Sequence, residues 1–289
     1  MSVATGPVRT FRQRLEARWD RGLFVSVGLD PDWDRLPEPI RAAAGPNPDE
    51  EARAIAVTRF CNAIVDGTAD LACAFKPNAA FFERFGAPGV AALGAVMRHI
   101  KAKAPDVPVI YDAKRGDIGS TNLGYAEDAF DRLGADAITV HPYLGGDALA
   151  PFLDRAEKGI IVLVRTSNPG GGEFQDLRIG GEPLYRVVAR RVAEAWDRNG
   201  NCAVVVGATY PEELAEVRRL VGDMPILIPG IGAQGGDLRR TVEAGRDPKG
   251  RGMIINSSRG IIYASEGGDF VEAARTETIR LNREIESTR

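Results

Sequence analysis

Val107-Pro108-Val109-Ile110-Tyr111-Asp112-Ala113-Lys114-Arg115-Gly116-Asp117-Ile118 passes without a break from an apolar run into a dense cluster of charge. The apolar half is short and rich in β-branched residues, so it reads as a buried strand ending near Tyr111. Side chains alternate faces along a strand, which predicts that Asp112 and Lys114 point the same way, with Asp117 just beyond in the loop. Carboxylates this close raise each other's pKa unless cations intervene, and such clusters concentrate at active sites.

The same pattern recurs outward in both directions. Apolar strand candidates are Leu23–Leu29, Leu71–Phe75, Val107–Tyr111, Ala137–Val140, Ile160–Val164, Ala203–Val206, Pro225–Ile228 and Gly252–Ile255. Between them lie amphipathic helical stretches, among them Ala87–Ala102, Leu123–Leu133, Leu184–Asn199, Pro211–Val221 and Leu238–Ala244. Strands alternating with helices imply a parallel sheet, and eight such units predict an α/β fold of the (β/α)8 barrel type. No repeat, low-complexity tract or linker divides residues 1–289, so the expectation is a single barrel domain. Two connections are long. Asp32–Glu51 reads as a surface excursion before a helix over Ala52–Val65, and Gly170–Glu182, with five glycines, reads as a flap over the barrel mouth.

The strand ends carry the chemistry. They read Gly28-Leu29-Asp30-Pro31, Phe75-Lys76-Pro77-Asn78, Asp112-Ala113-Lys114, His141-Pro142-Tyr143, Arg165-Thr166-Ser167-Asn168-Pro169, Gly207-Ala208-Thr209, Pro229-Gly230-Ile231-Gly232 and Asn256-Ser257-Ser258-Arg259. In a barrel these ends converge on the face that hosts catalysis. The loops after strands 7 and 8 supply a glycine-rich run, Pro229-Gly230-Ile231-Gly232-Ala233-Gln234-Gly235-Gly236, and then Ser257-Ser258-Arg259-Gly260. Loops in these positions often grip phosphate through backbone N–H groups, here with Arg259 as an added clamp. Tight turns alone are the competing reading of the glycines.

Composition narrows the class. The 289 residues are 44% hydrophobic and 27% charged with a formal net charge of -3, which leaves no basic footprint for nucleic acid. No apolar run approaches the ~18 residues of a membrane span, and Met1–Thr10 lacks a signal-peptide core. Cys61, Cys73 and Cys202 are scattered and without CxxC spacing, which points to core packing in a reducing cytoplasm. With only His99 and His141 present, acid–base work falls to Lys and Asp. His141, followed by Pro142, reads as shaping the rim, and no metal site is expected.

Asp112-Ala113-Lys114-Arg115-Gly116-Asp117-Ile118, with Phe75-Lys76-Pro77-Asn78, Arg165-Thr166-Ser167-Asn168-Pro169 and the glycine-rich run, resembles orotidine 5′-phosphate decarboxylase. The match is nearer to the longer, bacterial type 2 branch and runs from about Phe24 to Ser265. The resemblance implies cofactor-free decarboxylation of orotidine 5′-monophosphate (OMP) to uridine 5′-monophosphate (UMP) and CO2, the last step of de novo pyrimidine synthesis. It further implies that Lys76, Asp112, Lys114 and Asp117 form an alternating array. It assigns Asp30 to the ribose, Ser167 to the pyrimidine, and Gln234, Arg259 and the loop glycines Gly230, Gly232 and Gly235 to the phosphate. Asp117 and Thr121 would reach the neighbouring subunit's site, which implies a homodimer.

Other readings stand beside these. The array could be a barrel-mouth salt-bridge network, Asp30 a turn former, and Ser167 and Asn168 braces of the flap. A Schiff-base lysine is disfavoured by the adjacent carboxylates, which favour a charged ammonium. Arg115 has surface pairing as its default. The alternative activities are a metal-assisted sugar-phosphate lyase or epimerase on the same barrel and a silent phosphate-binding barrel.

Overall fold

The computed structural model describes residues 9–231 and 236–289. Eight parallel strands alternate with helices: β1 (Val25–Leu29), β2 (Ala74–Pro77), β3 (Ile110–Arg115), β4 (Ala137–Val140), β5 (Gly159–Arg165), β6 (Cys202–Val206), β7 (Ile226–Pro229) and β8 (Met253–Ser257). Their order around the sheet is β2-β1-β8-β7-β6-β5-β4-β3. Isolated parallel bridges Phe75–Val109 and Asn78–Asp112 join β2 to β3 and close the (β/α)8 barrel. Most strand residues are buried on both faces, as helices outside and packed side chains inside require. Among the described residues, no helix is long and apolar enough to cross a membrane.

Two strands depart from regular continuations of the apolar runs: β5 shifts register against β6 between Leu163 and Arg165, and β3 departs further. Its pairing with β4 slips between Tyr111 and Arg115, so the strand extends past Tyr111 through a bulge that carries Asp112, Ala113 and Lys114. Lys114 sits at φ +48°, the sole non-glycine residue with positive φ among the described residues. Simple alternation is therefore not what brings Asp112 and Lys114 together.

The principal helices are α1 (Phe11–Trp19), α2 (Glu50–Thr68), α3 (Gly86–Lys103), α4 (Gly119–Ala126), α5 (Leu184–Arg191), α6 (Pro211–Val221), α7 (Leu238–Gly245) and α8 (Phe270–Thr288). Helix α1 opens on a capping box, Thr10 with Gln13, and lies across the strand starts. Phe11 packs so tightly on β5 that a Cβ at Gly159 would meet its ring at 2.2 Å. Buried Arg18 donates to the carbonyls of Ala69, Asp70 and Ala72 just before β2. Helix α8 ends at the same base, where Asn282 accepts from the amides of Phe24 and Val25 and Arg289 lies over the Phe24 ring. Both ends of the described chain thus sit opposite the barrel mouth.

The two long connections are more ordered than their Pro and Gly content predicts. Residues 32–51 hold a 3₁₀ turn (Trp33–Arg35) and a short helix (Glu38–Ala42). The flap folds into a 3₁₀ turn, a short helix (Gly172–Gln175) and a hairpin pairing Arg178–Ile179 with Glu182–Pro183. Helix α4 starts at Gly119 rather than Leu123. Its Asn122 side chain folds back on the preceding loop, accepting from the Asp117 amide and donating to the Asp117 carbonyl.

Candidate active site

The mouth opens on a cavity of about 410 Å³, within the usual range for small-ligand sites. Leu163, Val205 and Leu227 form an apolar floor, and the strand ends contribute a polar wall. Asp112 is its electrostatic centre. Lys76 Nζ reaches Asp112 Oδ2 at 2.7 Å, and Lys114 Nζ reaches Oδ1 at 2.6 Å. Thr139 Oγ1 donates to the same Oδ1 at 2.9 Å and accepts from the Lys114 amide at 3.0 Å.

Burial opposes ionisation of Asp112, yet the two ammonium groups outweigh it and hold the carboxyl far below the usual carboxylate range. Burial likewise works against the charge on Lys76, but Asp112 and then Asp30 outweigh it and raise its pKa. Asp112 and Lys76 are therefore both charged at neutral pH. The lysines differ in one respect: the Lys76 side chain is 5% exposed and that of Lys114 is 49% exposed. Lys76 is a fixed buried cation, whereas Lys114 is open to solvent.

Asp30, Ser167, Gly230 and Arg259 all line this cavity, as do Asn78, Thr166, Asn168, Asn256 and Ser258. Asp30 Oδ1 is buried and lacks a hydrogen-bond partner among the described residues, which leaves it an acceptor open to a donor in the cavity. Its loop is held by Tyr263, whose hydroxyl donates to the Asp30 carbonyl and accepts from the Asp32 amide. Arg259 is exposed and has no ion-pair partner among the described residues. Glycine is required at position 28, where a Cβ would come within 1.8 Å of Ser258 Oγ. Gly230 takes φ +103°, a conformation open to glycine. Gln234, Gly232 and Gly235 lie outside the described residues.

Asp117 and Thr121 do not line the cavity. Asp117 begins the loop that enters α4, with Oδ1 accepting from the Ile118 amide, and Thr121 is exposed on α4. Around them, Ile118, Leu123, Tyr143 and Leu144 are large exposed apolar residues. His141 is a rim element: its Nε2 lies 3.0 Å from the Gly116 carbonyl, and a Cβ at Gly116 would strike the ring. Arg115 pairs with Glu83 at 2.9 Å on the surface. The three cysteines are free and buried.

Two residues were not singled out by sequence reasoning. Thr139 looks like an ordinary β-branched strand residue. Arg165 ends β5 and is read as part of a strand-end motif, yet its side chain is buried and stacks 4.1 Å from the centre of the Tyr210 ring. It donates to Gln175 Oε1 at 3.3 Å and pairs with Asp176 at 3.2 Å, while Gln175 also binds Thr166. The flap is therefore anchored next to Ser167.

Residues 25–276 match the family model for orotidine 5′-phosphate decarboxylase / HUMPS. The chain belongs to that family. An orotidine 5′-phosphate decarboxylase of Azoarcus sp. (strain BH72) is 52% identical over 280 residues, covering 96% of this chain and 99% of that protein. Among solved structures, the OMP decarboxylase of Leishmania donovani aligns with TM-score 0.81 and 39% identity over 96% of this chain and 99% of that one. The UMP synthase of Leishmania donovani aligns with TM-score 0.84 and 41% identity over 97% of this chain, which spans 56% of that longer protein.

Proposed function

We propose that the cavity at the barrel mouth decarboxylates OMP through Lys76, Asp112 and Lys114, with Asp30, Ser167 and Arg259 holding the nucleotide. The overall reaction follows from the family and its half-identical relatives: the chain is a carboxy-lyase of pyrimidine biosynthesis that converts OMP to UMP and CO2. Nothing in those likenesses favours the metal-assisted sugar-phosphate alternative. The observation that carries the residue assignment is Asp112 bridged by two ammonium groups inside the cavity.

Cleavage of the bond from C6 to the carboxyl carbon releases CO2 and leaves its electron pair on C6. No adjacent sink accepts that charge, so a nearby cation must. Lys114 serves, stabilising the carbanion and donating an Nζ proton to C6 to give UMP. Its exposure to water then allows reprotonation, which buried Lys76 is not placed to do. Lys76 instead keeps Asp112 ionised against the substrate carboxylate. A like-charge pair at ~4 Å in an effective dielectric of ~20 is worth about 4 kcal/mol. That is a minority of a barrier reduction on the order of 20 kcal/mol, so stabilisation of the carbanion by Lys114 dominates.

Asp30, with its unpartnered buried oxygen, takes the ribose hydroxyls. Arg259, with Gly230 and the loop containing Gly232, Gln234 and Gly235, takes the phosphate. Phosphate binding and flap closure over Gly170–Glu182 commit remote binding energy to the chemical step. The exposed apolar residues flanking Asp117 and Thr121 support a homodimer in which these two residues complete the neighbouring site. Buried, unpaired cysteines fit a cytoplasmic enzyme.

The test is a comparison of two variants, followed by the loss of OMP absorbance with EDTA present. Lys114→Ala should lower kcat by at least about 10²–10⁴-fold, the range general acids contribute. Arg259→Ala should act mainly on kcat/KM. Equal, small effects on turnover from both variants overturn the assignment.

A further inference from the structure

We infer that Thr139 is a positioning residue that holds Asp112 and Lys114 in working geometry. The inference rests on the reading of those two residues as the reacting pair.

The Lys114 amide is a donor only, so at 3.0 Å the Thr139 hydroxyl must accept from it. The hydroxyl has one proton left to give, and among the described residues the acceptor it reaches is Asp112 Oδ1 at 2.9 Å. Both directions are therefore set by chemistry rather than by choice of rotor. One buried hydroxyl on β4 ties the backbone of Lys114 to the carboxylate of Asp112, across the point where the β3–β4 register slips.

That tie matters because Lys114 is strained. A non-glycine residue in the left-handed region is unfavourable and persists where its surroundings over-determine it. In an ordinary strand the Lys114 amide would pair with a β4 carbonyl. Here the ladder is interrupted, and the Thr139 hydroxyl takes the carbonyl's place. The left-handed turn returns the Lys114 side chain to the carboxylate two residues earlier, closing a ring of Asp112, Thr139 and Lys114. Asp112 Oδ1 receives both the Thr139 proton and the Lys114 ammonium, so its orientation and that of the ammonium are coupled through this hydroxyl.

Three substitutions test the assignment. Thr139→Val keeps the volume and removes the hydroxyl, Thr139→Ser keeps the hydroxyl, and Thr139→Ala keeps the test available if the valine variant does not fold. The valine or alanine variant should lose about ten- to a hundredfold in kcat, the loss of a hydrogen bond to a charged group, with KM and UMP affinity within about threefold of wild type. Thr139→Ser should recover kcat to within about threefold. A folded valine or alanine variant with unchanged kcat overturns the inference, as does a serine variant as slow as the valine one. Lys114→Ala, measured in parallel, separates the two claims. Full turnover in that variant sinks the reading of the site, whereas a dead Lys114→Ala beside a fully active Thr139→Val sinks only the role of Thr139.

Discussion

Asp112 is the residue on which the site's charge balance turns. Its ionisation is favoured by Lys76 and Lys114 against the cost of burial, so its folded pKa is depressed. A depressed carboxyl contributes stability that is fully present above its unfolded pKa of about 3.9 and disappears as pH falls from there through the folded value. Lys76 is the mirror case, since its raised pKa contributes stability below about 10.4 that is lost as pH rises through its folded value. Asp112→Asn leaves a buried ammonium without its carboxylate and should cost about 3–5 kcal/mol near pH 7. Melting curves across pH check this. The gap between wild type and Asp112→Asn should shrink below pH ~4, and a constant gap would refute the coupling.

At the scale of the element, the flap is a folded loop tied at both ends. Arg165 holds Gln175 and Asp176 at one end, and Glu182 pairs with Arg186 and Arg190 at the other. Arg178 lies between these anchors with its guanidinium on the Gly181 carbonyl. Asp176→Asn should quicken tryptic cleavage after Arg178 several-fold and leave the melting temperature nearly unchanged, because Asp176 is half exposed and buried Arg165 keeps Glu213 and the Tyr210 ring as partners. Unaltered cleavage would show that the Arg165–Asp176 pair does not anchor the flap.

The contrast between element and residue also explains what was readable beforehand. Strands buried on both faces announce themselves as apolar runs, so the barrel and the strand ends with Asp112 and Lys114 were legible, whereas Lys76 joined them only through the family resemblance. The bulge in β3 was not, because a register slip alters pairing without altering composition. Thr139 and Arg165 were hidden for a related reason. Their roles depend on what a neighbouring strand or loop presents to them, and β-branching or a charge at a strand end says nothing of that. Five glycines gave the flap an unstructured look that its hairpin and anchors overrule.

For the whole molecule, the decisive question is whether one chain makes a complete site. Asp117 and Thr121 lie outside the cavity, beside exposed Ile118, Leu123, Tyr143 and Leu144. If they complete a partner's site in the proposed dimer, two individually crippled variants should complement each other. Lys114→Ala and Asp117→Ala subunits, mixed and allowed to exchange, should regain about a quarter of wild-type activity, because half of the dimers are hybrids with one intact site each. Failure to exceed the sum of the separate variants, with exchange verified by mass, would place Asp117 elsewhere.

Helix α1 and the last turn of α8 both rest against the strand starts, on the side away from Lys114. That arrangement separates the handle from the tool. A protein fused beyond Arg289, or a surface to which that residue is tethered, hangs beneath the barrel. Substrate still enters unobstructed, and the face carrying Ile118 and Tyr143 stays free to meet another copy.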